Sequence, residues 1–371
     1  MKTGESLKIA TMVRAYLPAP RPADIVYAPI DLAMAICEGL AERGHHVTYY
    51  GPKGSKPPVH LKTLDLEPLA RNNAEFQQLV QSTDMQMHYI PGLWDYYYVR
   101  DMFERARKGE FDLLHFHHVE SALPFVSLYP EVPVVYTVHD PIFPWYQQVF
   151  DMYHSDNQHY VSISNSQRLP APSLPYVATI YNGIHVKDYD FSAEMGDYLL
   201  FAGRIVPEKG VLEAIKVAER TKQKLLIIGP VFETGRAYFN KSIKPRLNKN
   251  IRYLGYMERE KLAEYMRHAK AFLMPIKWEE PFGMTMIESL ATGTPVIAMR
   301  RGSVPEVLID GVTGYIVNDL SGMVRAVGKI DKISREVCRD YIVKNFSISN
   351  MVHGYENAFE LVLKKMRQTK A

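Results

Sequence analysis

Short apolar runs alternate with amphipathic stretches through the first half of the chain. The runs are rich in Val, Ile and Tyr, as strands of a parallel sheet buried on both faces are. Between the first two runs, apolar residues recur at helical spacing through residues 29–44, and Gly44 stands where a helix C-cap belongs. Strand, helix and strand in repetition predict a parallel sheet covered by helices. The predicted strands are 7–17, 46–51, 111–117, 133–139, 160–165 and 177–183.

The same alternation restarts near residue 198. Apolar runs at 198–203 and 224–229 flank a helical stretch, and the pattern continues to about residue 299. A chain of 371 residues is long enough for two domains. The fold class predicted is α/β, with two Rossmann-like, doubly wound parallel-sheet domains facing a central cleft. We expect an N-terminal domain at 1–190, a C-terminal domain at 191–350, and a final helix at 351–371 that packs back on the first domain.

Composition and charge narrow the class of protein. Hydrophobic residues make up 47% and charged residues 23%, as in soluble globular proteins. The net charge of +3, without a block of Lys or Arg, argues against a nucleic-acid partner and leaves peripheral membrane contact as an unsupported alternative. The start leads into a strand without a signal-peptide core, so we expect a cytoplasmic protein. Cys37 and Cys338 are expected to be buried thiols.

Two cations lie in the first strand-to-helix loop of the second half, FAGRIVPEKG (201–210). Gly203 and Arg204 follow the strand, and Lys209 precedes the helix. This loop belongs to the carboxyl edge of the sheet, where ligands of open α/β folds bind, and the two cations suit a diphosphate. The alternative is a pair of solvated charges, partly neutralised by Glu208. Neither half shows a GxGxxG or Walker pattern, which disfavours dinucleotide and ATP sites.

The stretch WEEPFGMTMIESLATGTPVIA (278–298) contains a helix start that could bind an anion. Pro281 favours an extended conformation for the residue before it, and Gly283 permits a tight approach before a helix that begins near Met284. The N–H groups of residues 282–285, with the helix dipole, form a potential anion site.

Two glutamates flank that helix start. Glu280 precedes it and Glu288 lies in the early turns. A carboxylate is a poor partner for phosphate but a good acceptor for sugar hydroxyls, so the layout suits a ligand with phosphates between hydroxyl-rich groups. The alternative is two solvated acids near the positive end of the helix dipole.

Histidines end two predicted strands. His139 stands at the carboxyl end of 133–139, from where an imidazole can reach a cleft, although a lone histidine is more often structural. His115 and His117 share one strand face and His118 points away, without an acidic third ligand nearby. We therefore favour structural roles for these three residues and predict no metal site.

Several motifs together resemble those of glycosyltransferase family 4. They are GRIVPEKG, EEPFGMTMIESLATGTPVIA, RGSVPEVLIDGVTGYIV and YNGI, and the resemblance is strongest from about 177 to 317. The family has the GT-B fold, and its members are retaining enzymes that use nucleotide-sugar donors. The resemblance implies that the Rossmann-like domain 1–190 binds the acceptor and that the Rossmann-like domain 191–350 binds the nucleotide sugar. Within the family, AERGHHVTYYG, YTVHD and SISNSQRLPAPSLPYVATIYNGI resemble the subgroup around the avilamycin-pathway glycosyltransferase.

The resemblance implies roles for individual residues. Arg204 and Lys209 would bind the donor diphosphate and stabilise it as it leaves. Glu280 would face hydroxyls of the donor sugar, Glu288 those of the ribose, and His139 the reacting sugar. Further donor contacts would come from Gly203, Gly229, Tyr256, Met257, Phe282, Gly283, Met284 and Thr285.

The loop after the first strand departs from the family pattern. Family members usually carry a Gly-Gly pair there, whereas the loop 17–31 has four prolines and no glycine. Proline stiffens the loop and removes N–H donors. Arg14, Arg21 and Tyr27 are candidates to replace the missing backbone contacts.

The function predicted from these observations is retaining transfer of a hexose from a nucleotide-diphosphate sugar to a hydroxyl. UDP-glucose is the best candidate donor, and neither metal nor cofactor is expected. The alternatives are another GT-B enzyme such as a nucleotide-sugar epimerase or a phosphorylase, a non-catalytic sugar-nucleotide-binding protein, and a dinucleotide oxidoreductase. The acceptor is not identified. The cluster WDYYYVR (94–100) could stack on a ring, but we expect it to pack under a loop.

Overall fold

The computed structural model describes residues 6–82 and 85–369, which form two compact units. Within the described chain, the first unit comprises residues up to 163, residues 168–181 and residues from 348 onward. The second unit comprises Ser164–Gln167 and Asn182–Ser347. The chain therefore passes between the units more than once, and the C-terminal helix belongs to the first unit.

The first unit is built on a seven-stranded, fully parallel sheet in the order β3-β2-β1-β4-β5-β6-β7. Its central strands are buried along their whole length, which explains their continuous apolar sequences. The strands are β1 (Lys8–Met12), β2 (His46–Tyr50), β3 (His60–Lys62), β4 (Leu113–Phe116), β5 (Val134–Val138), β6 (Gln158–Ser162) and β7 (Tyr176–Thr179).

Helices cover this sheet. In the first of them a proline occupies the first turn, where its missing N–H costs nothing, and Gly44 follows at φ +90. Gly39 lies so close to the C-terminal helix that a Cβ on it would lie 2.5 Å from Cγ2 of Val352, so the two helices pack tightly. The helices are α1 (Ala28–Glu42), α2 (Asn73–Gln81), α3 (Met85–Arg107), α4 (Leu123–Val126), α5 (Tyr146–Met152) and, at the C-terminus, α13 (Ile348–Thr369).

The cluster 94–100 lies on the long helix α3, and two of its side chains contact the loop after β3, as expected: Nε1 of Trp94 donates to the Glu67 carbonyl at 3.1 Å, and the Tyr98 hydroxyl accepts from the N–H of Leu64 at 3.3 Å. Tyr98 is fully buried in the core beneath β1 and β4, whereas Tyr97 is about half exposed. Pro91 stands inside this helix, where it cannot donate the helical hydrogen bond to the preceding turn.

The second unit is built on a six-stranded parallel sheet in the order β10-β9-β8-β11-β12-β13. Its strands are β8 (Tyr198–Ala202), β9 (Lys224–Ile228), β10 (Ile251–Tyr253), β11 (Ala271–Met274), β12 (Val296–Met299) and β13 (Gly314–Val317). Its helices are α6 (Val211–Thr221), α7 (Glu233–Tyr238), α8 (Arg259–Arg267), α9 (Met284–Ala291), α10 (Val304–Val307), α11 (Leu320–Val327) and α12 (Arg335–Asn345).

Both cysteines are buried free thiols, as expected. Burial raises the pKa of Cys37 and of Cys338 to about 12, so neither is a reactive thiolate at neutral pH. Within the described ranges, no helix combines the length and the apolarity that a membrane crossing requires.

Candidate active site

Two glycines bring the ends of β8 and β9 into backbone contact. Gly203 has φ +156 and donates its N–H to the carbonyl of Ile228 at 3.0 Å, while Gly229 donates to the carbonyl of Gly255 at 2.8 Å. A Cβ on Gly229 would lie 1.8 Å from the carbonyl oxygen of Gly203. Only glycine fits at position 229, because any side chain there would overlap the backbone of Gly203.

Lys209 reaches the opposite loop through a second close approach. It ends a short 3₁₀ turn and is followed by Gly210 at φ +77. A Cβ on Gly210 would lie 1.9 Å from the carbonyl oxygen of Pro275, at the end of β11. The chain therefore runs directly against the loop between β11 and α9, which contains Glu280, and Lys209 is placed beside that residue.

Lys209, Trp278 and Glu280 form one cluster. Nζ of Lys209 donates to Oε2 of Glu280 at 2.6 Å and lies 4.5 Å from the centre of the Trp278 ring. Nε1 of Trp278 donates to the same carboxylate oxygen at 3.0 Å. The sequence indicated both charges but neither their pairing nor the indole that contacts both.

The backbone of Glu280 is fixed by the turn after β12. Ser303 donates its N–H to the Glu280 carbonyl at 2.9 Å, and a Cβ on Gly302 (φ +51) would lie 2.2 Å from that oxygen. Glu280 is 8% exposed. The backbone contacts and the two hydrogen bonds to Oε2, from Lys209 and Trp278, therefore fix the position of the Glu280 carboxylate.

The N-terminus of α9 lacks a side-chain cap. Gly283 occupies the cap position at φ +80, and Met286 donates its N–H to the Gly283 carbonyl at 3.0 Å. The N–H groups of Met284 and Thr285 find no protein acceptor among residues 6–82 and 85–369. Phe282 is buried against Phe346, so its ring is not accessible to a ligand. This helix end can accept an anion.

Glu288 is held by a residue that sequence reasoning missed. Tyr189 donates its hydroxyl to Oε1 of Glu288 at 3.1 Å, and its ring is almost fully buried. Burial and the neighbouring Glu288 raise the pKa of Tyr189, so it stays a donor at neutral pH. The sequence around Tyr189 does not predict its contact with Glu288, because the two residues are 99 positions apart.

The remaining predicted side chains of this unit are exposed or half-buried. Arg204 has an exposed side chain that makes no ion pair or hydrogen bond with the part of the chain that the structure describes. Tyr256 is 40% exposed, Met257 follows it half-buried, and the preceding Gly255 has φ +82. Arg204, Tyr256 and Met257 all lie in loops after β8 or β10, where a ligand can reach them.

His139 lies in the first unit, after β5, and contacts another histidine. Its Nε2 is 2.9 Å from Nδ1 of His117, and the two rings stack at 5.2 Å with 12° between their planes. Burial lowers the pKa of His139 to about 4, so the ring is neutral at pH 7.

The other two histidines have hydrogen-bond partners of their own. His115 lies 2.8 Å from Oγ1 of Thr137, and Nδ1 of His118 lies 2.9 Å from Oγ of Ser121. In the described residues, no group of three or more His, Cys, Asp and Glu is arranged to hold a metal ion.

The candidates near the proline-rich loop are engaged within the first unit. Arg14 pairs with buried Asp95 at 2.9 Å, and Arg21 pairs with Asp31 at 3.0 Å. Tyr27 precedes α1, with its ring 6.2 Å from that of Phe76. Because both arginines already neutralise a carboxylate, they are weak candidates to replace the missing glycine contacts.

Solved structures identify the fold as GT-B. AviGT4, a glycosyltransferase involved in avilamycin A biosynthesis, matches with a TM-score of 0.65 and 20% identity over 97% of this chain and 98% of that one. Anabaena HepE, solved in complex with UDP-glucose, matches with a TM-score of 0.65 and 14% identity over 98% of this chain and 100% of that one. The predicted fold is confirmed.

Comparison with family models and curated sequences relates the chain to glycosyltransferases more specifically than the fold does. Residues 32–188 match the model of Glycosyltransferase Family 4, and residues 189–336 match that of Glycosyl transferases group 1. The phosphatidyl-myo-inositol mannosyltransferase of Mycobacterium tuberculosis is 29% identical over 262 residues, 63% of this chain and 68% of that protein. The chain spans about half the length of other curated relatives, such as a Klebsiella pneumoniae cps-region protein (33% identical over 171 residues, 44% of this chain and 46% of that protein). Together the two models span residues 32–336, so the chain carries one domain of each of these glycosyltransferase families, as the motifs predicted.

Proposed function

We propose that this protein is a retaining glycosyltransferase that moves a hexose from a nucleotide-diphosphate sugar to an acceptor hydroxyl. The observation that carries the proposal is the pairing of Lys209 with Glu280 beside the uncapped N-terminus of α9. UDP-glucose is the best candidate donor, a choice supported by the UDP-glucose complex of Anabaena HepE. The matches to both glycosyltransferase family models support the reaction class.

In the reaction that we propose, positively charged groups and N–H donors stabilise the leaving diphosphate. The bond between the anomeric carbon and the diphosphate oxygen breaks while the acceptor oxygen forms a new bond to the same carbon. Lys209, Arg204 and the free N–H groups of Met284 and Thr285 stabilise the charge that develops on the diphosphate. The acceptor proton passes to an oxygen of the leaving phosphate. Because these groups supply the charge, we propose that no metal ion takes part.

The carboxylates hold the donor and do not attack it. One oxygen of Glu280 already accepts from Trp278 and Lys209, which leaves the other to accept from a donor-sugar hydroxyl. Oε1 of Glu288 accepts from Tyr189, and the same carboxylate can accept from ribose hydroxyls. The roles implied for His139, beside the reacting sugar, and for Gly203, Gly229, Tyr256 and Met257, in donor binding, stay predictions, as does the cytoplasmic location.

A panel of nucleotide sugars tests this proposal. Thermal shift first identifies the donors that stabilise the protein, and donor hydrolysis and transfer are then measured with the stabilising ones. We expect a UDP-hexose to stabilise most and the product to keep the anomeric configuration of the donor, read by NMR coupling constants. A change of sugar configuration in UDP-hexose alone would indicate an epimerase instead. Binding without turnover over a broad acceptor range would indicate a binding protein.

A further inference from the structure

The segment 186–192, which leads towards the first strand of the second unit, packs against the end of α9. Ser192 donates its N–H to the carbonyl of Thr292 at 3.2 Å. A Cβ on Gly293, which has φ +91, would lie 2.9 Å from the carbonyl oxygen of Ser192. Backbone therefore lies directly against backbone at the C-terminal end of α9, the helix whose uncapped N-terminus belongs to the candidate site.

Arg339, on α12, ties these two backbone segments together. Its Nη1 donates to the carbonyl of Tyr189 at 2.5 Å and to that of Ala291, the last residue of α9, and its Nη2 donates to the carbonyl of Val186 at 3.1 Å. A guanidinium is planar and rigid, so the carbonyls that it binds keep a fixed separation. Tyr189 is thereby held relative to the end of α9, where Glu288 lies three residues before Ala291.

Arg335 precedes Arg339 by one turn of α12 and binds the same region. Its Nε donates to the carbonyl of Ser192 at 2.7 Å, its Nη1 to that of Ala269 at 2.9 Å, and its Nη2 to Oγ1 of Thr294 at 2.8 Å. Residues four apart lie on one face of a helix, so this face of α12 holds the segment at two points. Because Arg335 holds Ser192 independently, loss of Arg339 should loosen Tyr189 without detaching the segment.

The position of the Glu288 carboxylate depends on Tyr189. The hydroxyl of Tyr189 donates to Oε1 of Glu288 at 3.1 Å, and the tyrosine ring is almost fully buried, so the hydroxyl moves only when the backbone of Tyr189 moves. A glutamate that is ordered before its ligand arrives avoids the loss of side-chain freedom that binding otherwise costs. Arg339 therefore influences the donor site through the backbone of Tyr189.

We infer that Arg339 is a positioning residue for recognition of the donor ribose. By holding the backbone of Tyr189 against the end of α9, it keeps the Glu288 carboxylate where the ribose hydroxyls can donate to it. Arg339 acts through these two residues and does not itself contact the donor. The inference rests on the proposed function, because it concerns the ribose contact of Glu288, and it deepens that function by naming the residue that makes the contact selective.

Isothermal titration calorimetry on the full chain tests this inference with UDP and with 2′,3′-dideoxy-UDP, which lacks both ribose hydroxyls. We expect the wild type to bind UDP at least about tenfold more tightly, the effect of a hydrogen bond to a charged acceptor. Arg339→Met should weaken UDP binding about threefold to tenfold, the cost of ordering one side chain, and should leave the affinity for dideoxy-UDP unchanged. Arg325→Met, which changes an exposed arginine of α11, should leave both affinities unchanged.

Two further comparisons separate positioning from general stability. Lysine keeps a donor in place, so Arg339→Lys should recover part of the UDP affinity, and it replaces Arg339→Met in the comparison if that variant folds poorly. Tyr189→Phe should also weaken UDP more than dideoxy-UDP. Because Arg339 acts through Tyr189, the double variant Arg339→Met/Tyr189→Phe should lose no more UDP affinity than the weaker-binding single variant.

Four results would each overturn the inference. They are equal affinity of the wild type for the two ligands, equal weakening of both ligands in Arg339→Met, an unchanged UDP affinity in that variant, and independent losses that multiply in the double variant. The panel of nucleotide sugars keeps this inference apart from the proposed function. If a nucleotide sugar binds the wild type and one of these results is found, only the positioning role fails; if no nucleotide sugar binds the wild type, the proposed function fails.

Discussion

Replacing Lys209 with methionine removes the ammonium group but keeps most of the side chain over Trp278. Glu280 then keeps its negative charge with a single donor, the Trp278 indole. The lysine side chain is 19% exposed and the glutamate side chain 10% exposed, so the broken pair is largely but not wholly removed from water.

The loss of unfolding free energy expected for Lys209→Met lies between the values typical of buried and of exposed ion pairs. Breaking a fully buried ion pair by removing one partner costs about 3–5 kcal/mol, and an exposed pair contributes about 0–1 kcal/mol. The exposure of Lys209 and Glu280 and the remaining indole donor place this change near 2 kcal/mol in the free energy of unfolding of the second unit. The double variant Lys209→Met/Glu280→Gln removes both charges and should recover most of that loss, to within about 0.5 kcal/mol of the wild type.

Hydrogen exchange of peptides from the second unit, measured over a urea series, resolves its stability from that of the first unit. Lys224→Met is the matched control, because Lys224 pairs with Asp197 at 2.5 Å in the same unit but both side chains are more than half exposed. We expect no measurable change in the control. Wild-type stability of Lys209→Met would refute the pairing. A double variant as unstable as the single one would assign the loss to packing on Trp278 instead.

Three further predictions follow from other contacts. Glu288→Ala should raise the donor KM about tenfold with little effect on kcat, and Tyr189→Phe should raise it less, measured by steady-state kinetics; an unchanged KM in Glu288→Ala would remove the ribose assignment. Gly229→Ala should destabilise the second unit by at least about 2 kcal/mol in urea unfolding, because the new methyl group would overlap the Gly203 carbonyl; a variant as stable as the wild type would contradict this packing. Burial and His139 lower the pKa of His115 to about 3, so unfolding takes up a proton at this residue as pH falls below about 6.5. This residue should therefore lower the free energy of unfolding by about 2 kcal/mol between pH 7 and 5. In His115→Gln, the loss of stability over the same pH range should be smaller by that amount.

The strands that sequence reasoning found best are those buried on both faces. β5 lies within the predicted run 133–139 and β9 within 224–229, because a continuous apolar sequence needs no partner to be recognised. Some predicted runs extend past the observed strand ends; the run 198–203, for example, includes Gly203, which follows β8 and begins the loop that contains Arg204. β3, with three half-exposed or exposed residues, lacks that apolar signal, and β13 offers only a short, half-buried apolar run after a glycine.

The sequence predicts which residues form the candidate site but not which of them contact each other. Arg204, Lys209, Glu280 and Glu288 stand in loops and a helix start that local pattern locates. The Lys209–Glu280 bond joins residues 71 positions apart and depends on how closely Gly210 approaches β11. That approach is set by packing of the whole sheet, which periodicity does not encode.

The central claim is that Lys209 stabilises the departing diphosphate. Its most direct test is steady-state transfer or hydrolysis of the best UDP-hexose by wild type, Lys209→Met and Lys224→Met. The account predicts that Lys209→Met lowers kcat by about 100-fold or more while the donor KM changes only a few-fold, with Lys224→Met like wild type. A near-normal kcat in a folded Lys209→Met protein would contradict it.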